Sequence, residues 1–134
     1  NTLASPNEPE ILAIIDWELA TVGDPYMDVA LMLMFWGEYR TQQPPAFAAL
    51  QSVSRRSGVI SRRELAGRWS ESVGRPLHHM NFYMALAFWR LAAIVEGAYG
   101  LFVAGQLTTD YARGLEYDVP ALLAEAERAA KGDW

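Results

Sequence analysis

Ile11-Leu12-Ala13-Ile14-Ile15-Asp16-Trp17-Glu18, followed by Gly23-Asp24-Pro25 and then Asp28-Val29-Ala30, is the stretch on which the fold turns. Its opening run is apolar and rich in β-branched residues, too short for a useful helix, and preceded by the turn-forming Ser5-Pro6-Asn7-Glu8-Pro9, so it predicts a short buried strand ending at Asp16. With Leu3 near the end of the opposing arm, the first residues read as a β-hairpin. After Gly23 the period changes. Asp24 can cap free N–H groups, and Pro25 at the first helical position gives up only an N–H that had no partner. Val29, Ala30, Leu33 and Met34 then recur at helical spacing to about Gly37.

Outward from this stretch the chain is helical. Gln42 to Pro45 reads as a loop, and a weaker helix carrying Phe47, Leu50 and Val53 precedes Gly58. Ser61-Arg62-Arg63-Glu64 has the spacing of a capping box, and Leu65, Trp69 and Val73 carry that helix to Gly74. A long apolar helix from about His79 to Ala104 follows, then a polar link around Thr108-Thr109-Asp110, then a last helix with Val119, Leu122, Leu123 and Ala126 on one face. An apolar helix of that length should be surrounded by the amphipathic ones. The expected fold is mainly α with a short N-terminal hairpin, residues 1–134 forming a single domain.

Composition narrows the function. The 134 residues are 51% hydrophobic, contain no cysteine, and carry 16 acidic against 11 basic side chains, a net charge of −5. Disorder and a disulfide-stapled scaffold are thereby excluded. The basic residues, never longer than the pairs Arg55-Arg56 and Arg62-Arg63, form no stripe that would neutralise several phosphates, so nucleic acid is not an expected partner. No export signal is visible and a cysteine-free chain suits a reducing compartment, so a cytoplasmic location is expected. Met80 to Ala104 approaches the length of a membrane span. Arg90 and Glu96 fall near its centre, where each would cost about 2.5 to 3.5 kcal/mol, and no membrane is expected as a partner.

Among polar residues, Asp16 is either a cap or turn former or a ligand projecting from the strand's end into a cleft. Asp28 is either a first-turn acid complementing the helix dipole or a buried acceptor of hydrogen bonds. Glu18 reads as a solvated turn acid and Asp24 as a helix cap. His78 and His79 are adjacent, point about 100° apart on a helix, and read as a solvent-facing helix start. Trp36, Trp69, Trp89, Tyr83 and Tyr99 either line a pocket or belong to the core, and at helical spacing read as core. Arg90 should pair with Asp28 or Glu96, or else reach into a cleft as an anion contact.

The order Ile14-Ile15-Asp16-Trp17-Glu18, Gly23-Asp24-Pro25, Asp28-Val29-Ala30 resembles the segment after the catalytic loop of aminoglycoside-phosphotransferase-like kinases. Trp17-Glu18 is the form typical of the branch fused to, or encoded near, acyl-CoA dehydrogenases. The resemblance is strong over Asn1 to Leu33 and weaker beyond. It implies the C-terminal-lobe part of a protein-kinase-like fold, with ATP and Mg²⁺ as cofactors and a small-molecule hydroxyl as phosphoryl acceptor, aminoglycoside-like or hydroxyacyl in type. It implies that Asp16 and Asn1 are the metal ligands and contact the cofactor, Asn1 being the last residue of a His-Gly-Asp-x-x-x-x-Asn loop. The catalytic Asp would then precede Asn1, leaving no catalytic base among these residues. Without that base and the N-terminal lobe, the chain is expected to be inactive alone, and its uncovered apolar surface makes self-association an expectation. The competing expectation is a self-sufficient helical interaction module whose Asp16 turn is purely structural.

Overall fold

The computed structural model describes residues 1–18, 20–37 and 51–134. Strands β1 (Thr2–Ala4) and β2 (Ile11–Ile14) form an antiparallel hairpin, followed by helices α1 (Pro25–Phe35), α2 (Arg62–Val73), α3 (Met80–Val103) and α4 (Asp110–Ala130). The mainly helical reading with an N-terminal hairpin therefore holds. The weak helix around Phe47 and Leu50 and the Gln42 to Pro45 loop lie outside the described residues, and Val53 sits in an exposed turn.

The hairpin pairs Thr2 with Ile14 and Leu3 with Ala13, and its register shifts between Leu3 and Ala4. The strand expected to be buried is not. Ile11 is 64% exposed, and Leu12, Ile14 and Ile15 are exposed with it. The apolar run dictated pairing, but no helix of the described residues covers either face of the two-stranded sheet.

Helix starts follow the local signals. Asp24 caps α1 by accepting from the Tyr26 N–H at 3.0 Å, with Pro25 at the first turn. Ser61 accepts from the Glu64 N–H at 3.1 Å, while the Glu64 carboxylate pairs with Arg68 at 2.9 Å instead of reaching back, so only half of the capping box forms. Helix α2 ends at Gly74, whose φ of 66° is the left-handed conformation that glycine adopts without steric cost. Thr109 caps α4 through the Ala112 N–H at 3.2 Å.

The core lies where α1 and α4 pack against α3. Leu33 and Met34 from α1, Met84 and Phe88 from α3, and Leu115 and Leu122 from α4 are all buried, with Ala66 from α2 beside them. Leu122 belongs to the expected face of α4, with Val119 and Ala126 half-buried beside it, but Leu123 is exposed. Helix α3 is long and apolar enough to cross a membrane by length and composition. Among the described residues it is the element on which α1 and α4 pack. Contrary to expectation it is not surrounded: Phe82, Trp89, Ile94, Leu101 and Val103 remain exposed. The core reading of Trp89, 55% exposed, is thereby overturned, while Trp36, Trp69, Tyr83 and Tyr99 are each partly buried.

Two charged side chains are buried, and neither was anticipated. Arg62, only 2% exposed, donates Nε to the Trp36 carbonyl at 2.6 Å and Nη2 to the Met34 carbonyl at 3.4 Å, and its guanidinium lies 5.5 Å from the centre of the Phe88 ring. It brings positive charge to the C-terminal end of α1, whose own last turn has no basic residue. Asp118 in α4 is 5% exposed, and its Oδ1 has no hydrogen-bond partner among the described residues. Burial disfavours its charged form and raises its pKa above the ordinary carboxylate value. A folded-state pKa above the unfolded one gives stability that is full below the unfolded pKa and lost as pH rises through the folded pKa. Asp118→Asn, which never ionises, is therefore expected to raise the melting temperature at pH 7. Scanning calorimetry at pH 4 and pH 7 should show the advantage shrinking at the lower pH.

Candidate functional site around the Asp16 turn

The hairpin's open end carries the residues that the sequence singled out. The Ile15 N–H donates to the Asn1 carbonyl at 2.9 Å, so Asn1 lies across from Ile15, one residue of register from Asp16. Regular alternation would send the two side chains to opposite faces. Asp16, however, has φ of 70°, a left-handed backbone that breaks the alternation at that residue. Aspartate tolerates this conformation better than most residues, and such local strain concentrates at functional sites. Both Asn1 and Asp16 are exposed, and neither side chain is engaged in a hydrogen bond among the described residues.

The donor set suits a hard cation. Among the described residues no cluster of three or more His, Cys, Asp or Glu side chains gathers to cage a metal. One carboxylate and one amide oxygen are instead what Mg²⁺ takes from a protein when nucleotide phosphates and water supply its remaining ligands.

Past Asp16 the chain folds over itself and into α1. Trp17 donates its indole N–H to the Ile14 carbonyl at 2.7 Å, and the Ala20 N–H donates to the Trp17 carbonyl at 2.9 Å. Asp24 then does more than cap α1: its Oδ2 accepts from the Tyr83 hydroxyl at 2.5 Å, tying the start of α1 to α3. Tyr26 stacks on Tyr83 with ring centres 5.4 Å apart, meets Trp69 edge-on at 5.6 Å, and donates its hydroxyl to the Pro76 carbonyl at 2.7 Å. The Asp16 turn is thus followed by a firmly anchored helix start. The cap was visible in sequence; its tyrosine partner, 59 residues away, left no local signal.

These contacts set the charge state. The Tyr83 hydroxyl first, then the Tyr26 N–H and the charge of Arg75, hold the Asp24 carboxyl below its ordinary value, and the same bond raises the Tyr83 phenol. A folded-state pKa below the unfolded one gives stability present above the unfolded pKa and lost as pH falls through the folded value. Tyr83→Phe is therefore expected to lower the melting temperature at pH 7, with the difference from wild type closing in acid, as followed by circular dichroism.

A cavity of about 480 Å³ opens beside the turn, lined by Trp17, Thr21, Asp24, Asp28, Leu31 and Arg90 among others. Asp28 is exposed on the first turn of α1, which is the helix-dipole reading and not the buried one. Arg90 is exposed as well. The ion pair expected between Arg90 and either Asp28 or Glu96 does not form within 4 Å: all three side chains are exposed, where solvation competes with pairing. Glu18 is an exposed turn residue, as expected. His78 and His79 are exposed ahead of α3, and His79 lines a separate cavity of about 690 Å³ with Arg63, Asn81 and Trp134, which shares no residue with the Asp16 turn.

Comparison with known proteins places the chain among its relatives. Residues 1–65 match the phosphotransferase enzyme family. The chain is 32% identical over 114 residues to acyl-CoA dehydrogenase family member 10 of Mus musculus, covering 81% of this chain and 10% of that protein. It is 30% identical over 112 residues to acyl-CoA dehydrogenase family member 11 of Homo sapiens, covering 82% of this chain and 14% of that protein. A third relative, probable acyl-CoA dehydrogenase IBR3 of Arabidopsis thaliana, is 28% identical over 108 residues, covering 78% of this chain and 13% of that protein. The chain therefore spans only a small part of the length of these relatives. No solved structure matches it.

Proposed function

From the premise that this chain belongs to the phosphotransferase enzyme family, we propose that it is the metal-binding and acceptor-side part of an ATP- and Mg²⁺-dependent kinase that phosphorylates a hydroxyl of a small molecule, aminoglycoside-like or hydroxyacyl in type. The observation that carries the reading is the end of the hairpin, where Asn1 lies beside Ile15 and the left-handed backbone of Asp16 turns the chain away from the strand. When bound, Mg²⁺ supplies charge neutralisation on the nucleotide phosphates. The Asp16 carboxylate and the Asn1 amide oxygen would hold it. The Asp24–Tyr83 bond and the Tyr26 contacts fix where α1 begins, and so keep the Asp16 turn in register with the helices behind it. Phosphoryl transfer asks mainly for such positioning, since the protein contributes little covalent chemistry.

In this reading the base that accepts the hydroxyl proton and the lobe that covers the nucleotide come from polypeptide beyond these residues, and the exposed apolar faces of the hairpin and α3 are where that polypeptide or a second copy packs. The test is an ADP-release assay with ATP, Mg²⁺ and a panel of hydroxylated acceptors. The full-length polypeptide is expected to turn over at least one acceptor, and residues 1–134 alone none. Turnover by the 134 residues alone would contradict the division of labour. Failure of the full-length polypeptide with every acceptor would favour the interaction-module alternative.

A further inference from the structure

We propose that the uncovered face of α3 is an interface with a second copy of this chain, the two α3 helices packing antiparallel about a two-fold axis that passes Ala93. Nothing in this depends on the kinase reading; it follows from the pattern of that face. A two-fold interface must be complementary to itself, so a residue at a given distance before the axis meets the residue at the same distance after it on the partner. Ala93 is exposed and small, which lets two helices approach closely. Three residues to either side stand Arg90 and Glu96, of opposite charge, both exposed and neither in a hydrogen bond or ion pair among the described residues. Four residues to either side stand Trp89 and Gly97, seven to either side Leu86 and Gly100, and eleven to either side Phe82 and Ala104. Such spacings keep all of these positions on one face of the helix.

Size follows the same rule as charge. Before the axis the face is bulky, with Phe82 and Trp89 both more than half exposed, and after it the face is small. An antiparallel pair sets each bulky residue against a small one, and Arg90 against the partner's Glu96; a parallel pair would set Trp89 against the partner's Trp89 and Arg90 against the partner's Arg90. The small half has room to receive the bulky one. A Cβ added at Gly97 or Gly100 would meet no atom within 4 Å. Beside them, a recess of about 360 Å³ lies between Ala93 and Glu96 of α3 and Val119 and Leu123 of α4, and its apolar walls suit the partner's Trp89. Glycine weakens a helix interior, a cost that close packing against a partner offsets. Polypeptide of unrelated sequence has no reason to match a pattern arranged about one point, whereas a second copy matches it by construction.

The experiment is sedimentation equilibrium on the full-length polypeptide. Wild type is expected to self-associate. Arg90→Glu and Glu96→Arg should each raise the dimer dissociation constant about tenfold or more, because each sets two like-charge pairs across the interface. An equimolar mixture of these two variants should associate again, since every cross-pair is then of opposite sign. Gly97→Leu should also abolish association while raising the melting temperature of the dissociated chain, because a side chain fits there and leucine favours helix over glycine, so that its loss of association is not misfolding. Ala93→Cys should give, on mild oxidation, a disulfide joining the two introduced thiols, identified by peptide mass spectrometry. A monomeric wild type, its α3 covered by other polypeptide of the same chain, would overturn the assignment. So would self-association that neither charge reversal changes, or a mixture of the two that stays as dissociated as its components.

Discussion

Replacing Asp16 by alanine in the full-length polypeptide is expected to lower kcat by about 10³-fold or more. A bound divalent cation contributes several kcal/mol of charge stabilisation to phosphoryl transfer, and each 1.4 kcal/mol is roughly a tenfold change in rate. The loss should be chemical and not structural, because Asp16 is exposed, packs into no core, and its carboxylate has no hydrogen-bond partner among the described residues. Steady-state kinetics at saturating ATP, with a thermal melt on the same samples, separates the two. Asp16→Ala retaining wild-type kcat would remove the carboxylate from the chemistry. An Asp16→Gly control should fold equally well or better, since glycine adopts a φ of 70° without strain, and should be as inactive as alanine.

The second large effect is on stability. Arg62→Ala is expected to destabilise the fold by roughly 3–4 kcal/mol, since it leaves carbonyls at the end of α1 without their charged donor and opens space beside Phe88. Arg62→Met keeps most of the volume and isolates the hydrogen-bonding part. If Arg62 matters as a donor, methionine should recover well under half of the loss in urea denaturation, and full recovery would mean that only its packing counts. Neighbouring Arg63 offers the contrast. It is exposed, bonds the Gly132 carbonyl at 2.6 Å and lies 4.4 Å from the centre of the Trp134 ring, so Arg63→Ala should cost much less.

What the sequence made legible was local. The Asp24-Pro25 start, the Ser61 cap, the Gly74 stop and the hairpin pairing each depend on residues within a few positions of one another, where backbone hydrogen bonding leaves a compositional trace. The ordered motif from Ile14 to Ala30 was likewise local, and it matched the family later found for residues 1–65. Features made by distant residues were not legible. Arg62 and Arg63 look alike in sequence, yet one is buried against carbonyls of α1 and the other faces solvent, and that difference arises only when α1 and α2 meet. The same holds for the Asp24–Tyr83 bond and for the failed Arg90 pairing, which an apolar helix seemed to demand only while it was imagined as surrounded. Hydropathy correctly marked α3 as the packing axis but could not say which of its faces the other helices would leave uncovered.

The most direct measurement is Mn²⁺ binding in the presence of ATP, followed by electron paramagnetic resonance on the full-length polypeptide and on Asn1→Ala, Asp16→Ala and the double variant. If the amide and the carboxylate at the hairpin's end hold one cation, each single change should weaken binding about tenfold or more, and the double variant should lose less than the sum of the two, because the ligands act on the same ion. Unaltered Mn²⁺ affinity in both single variants, with nucleotide still bound, would contradict the assignment of the metal to this turn.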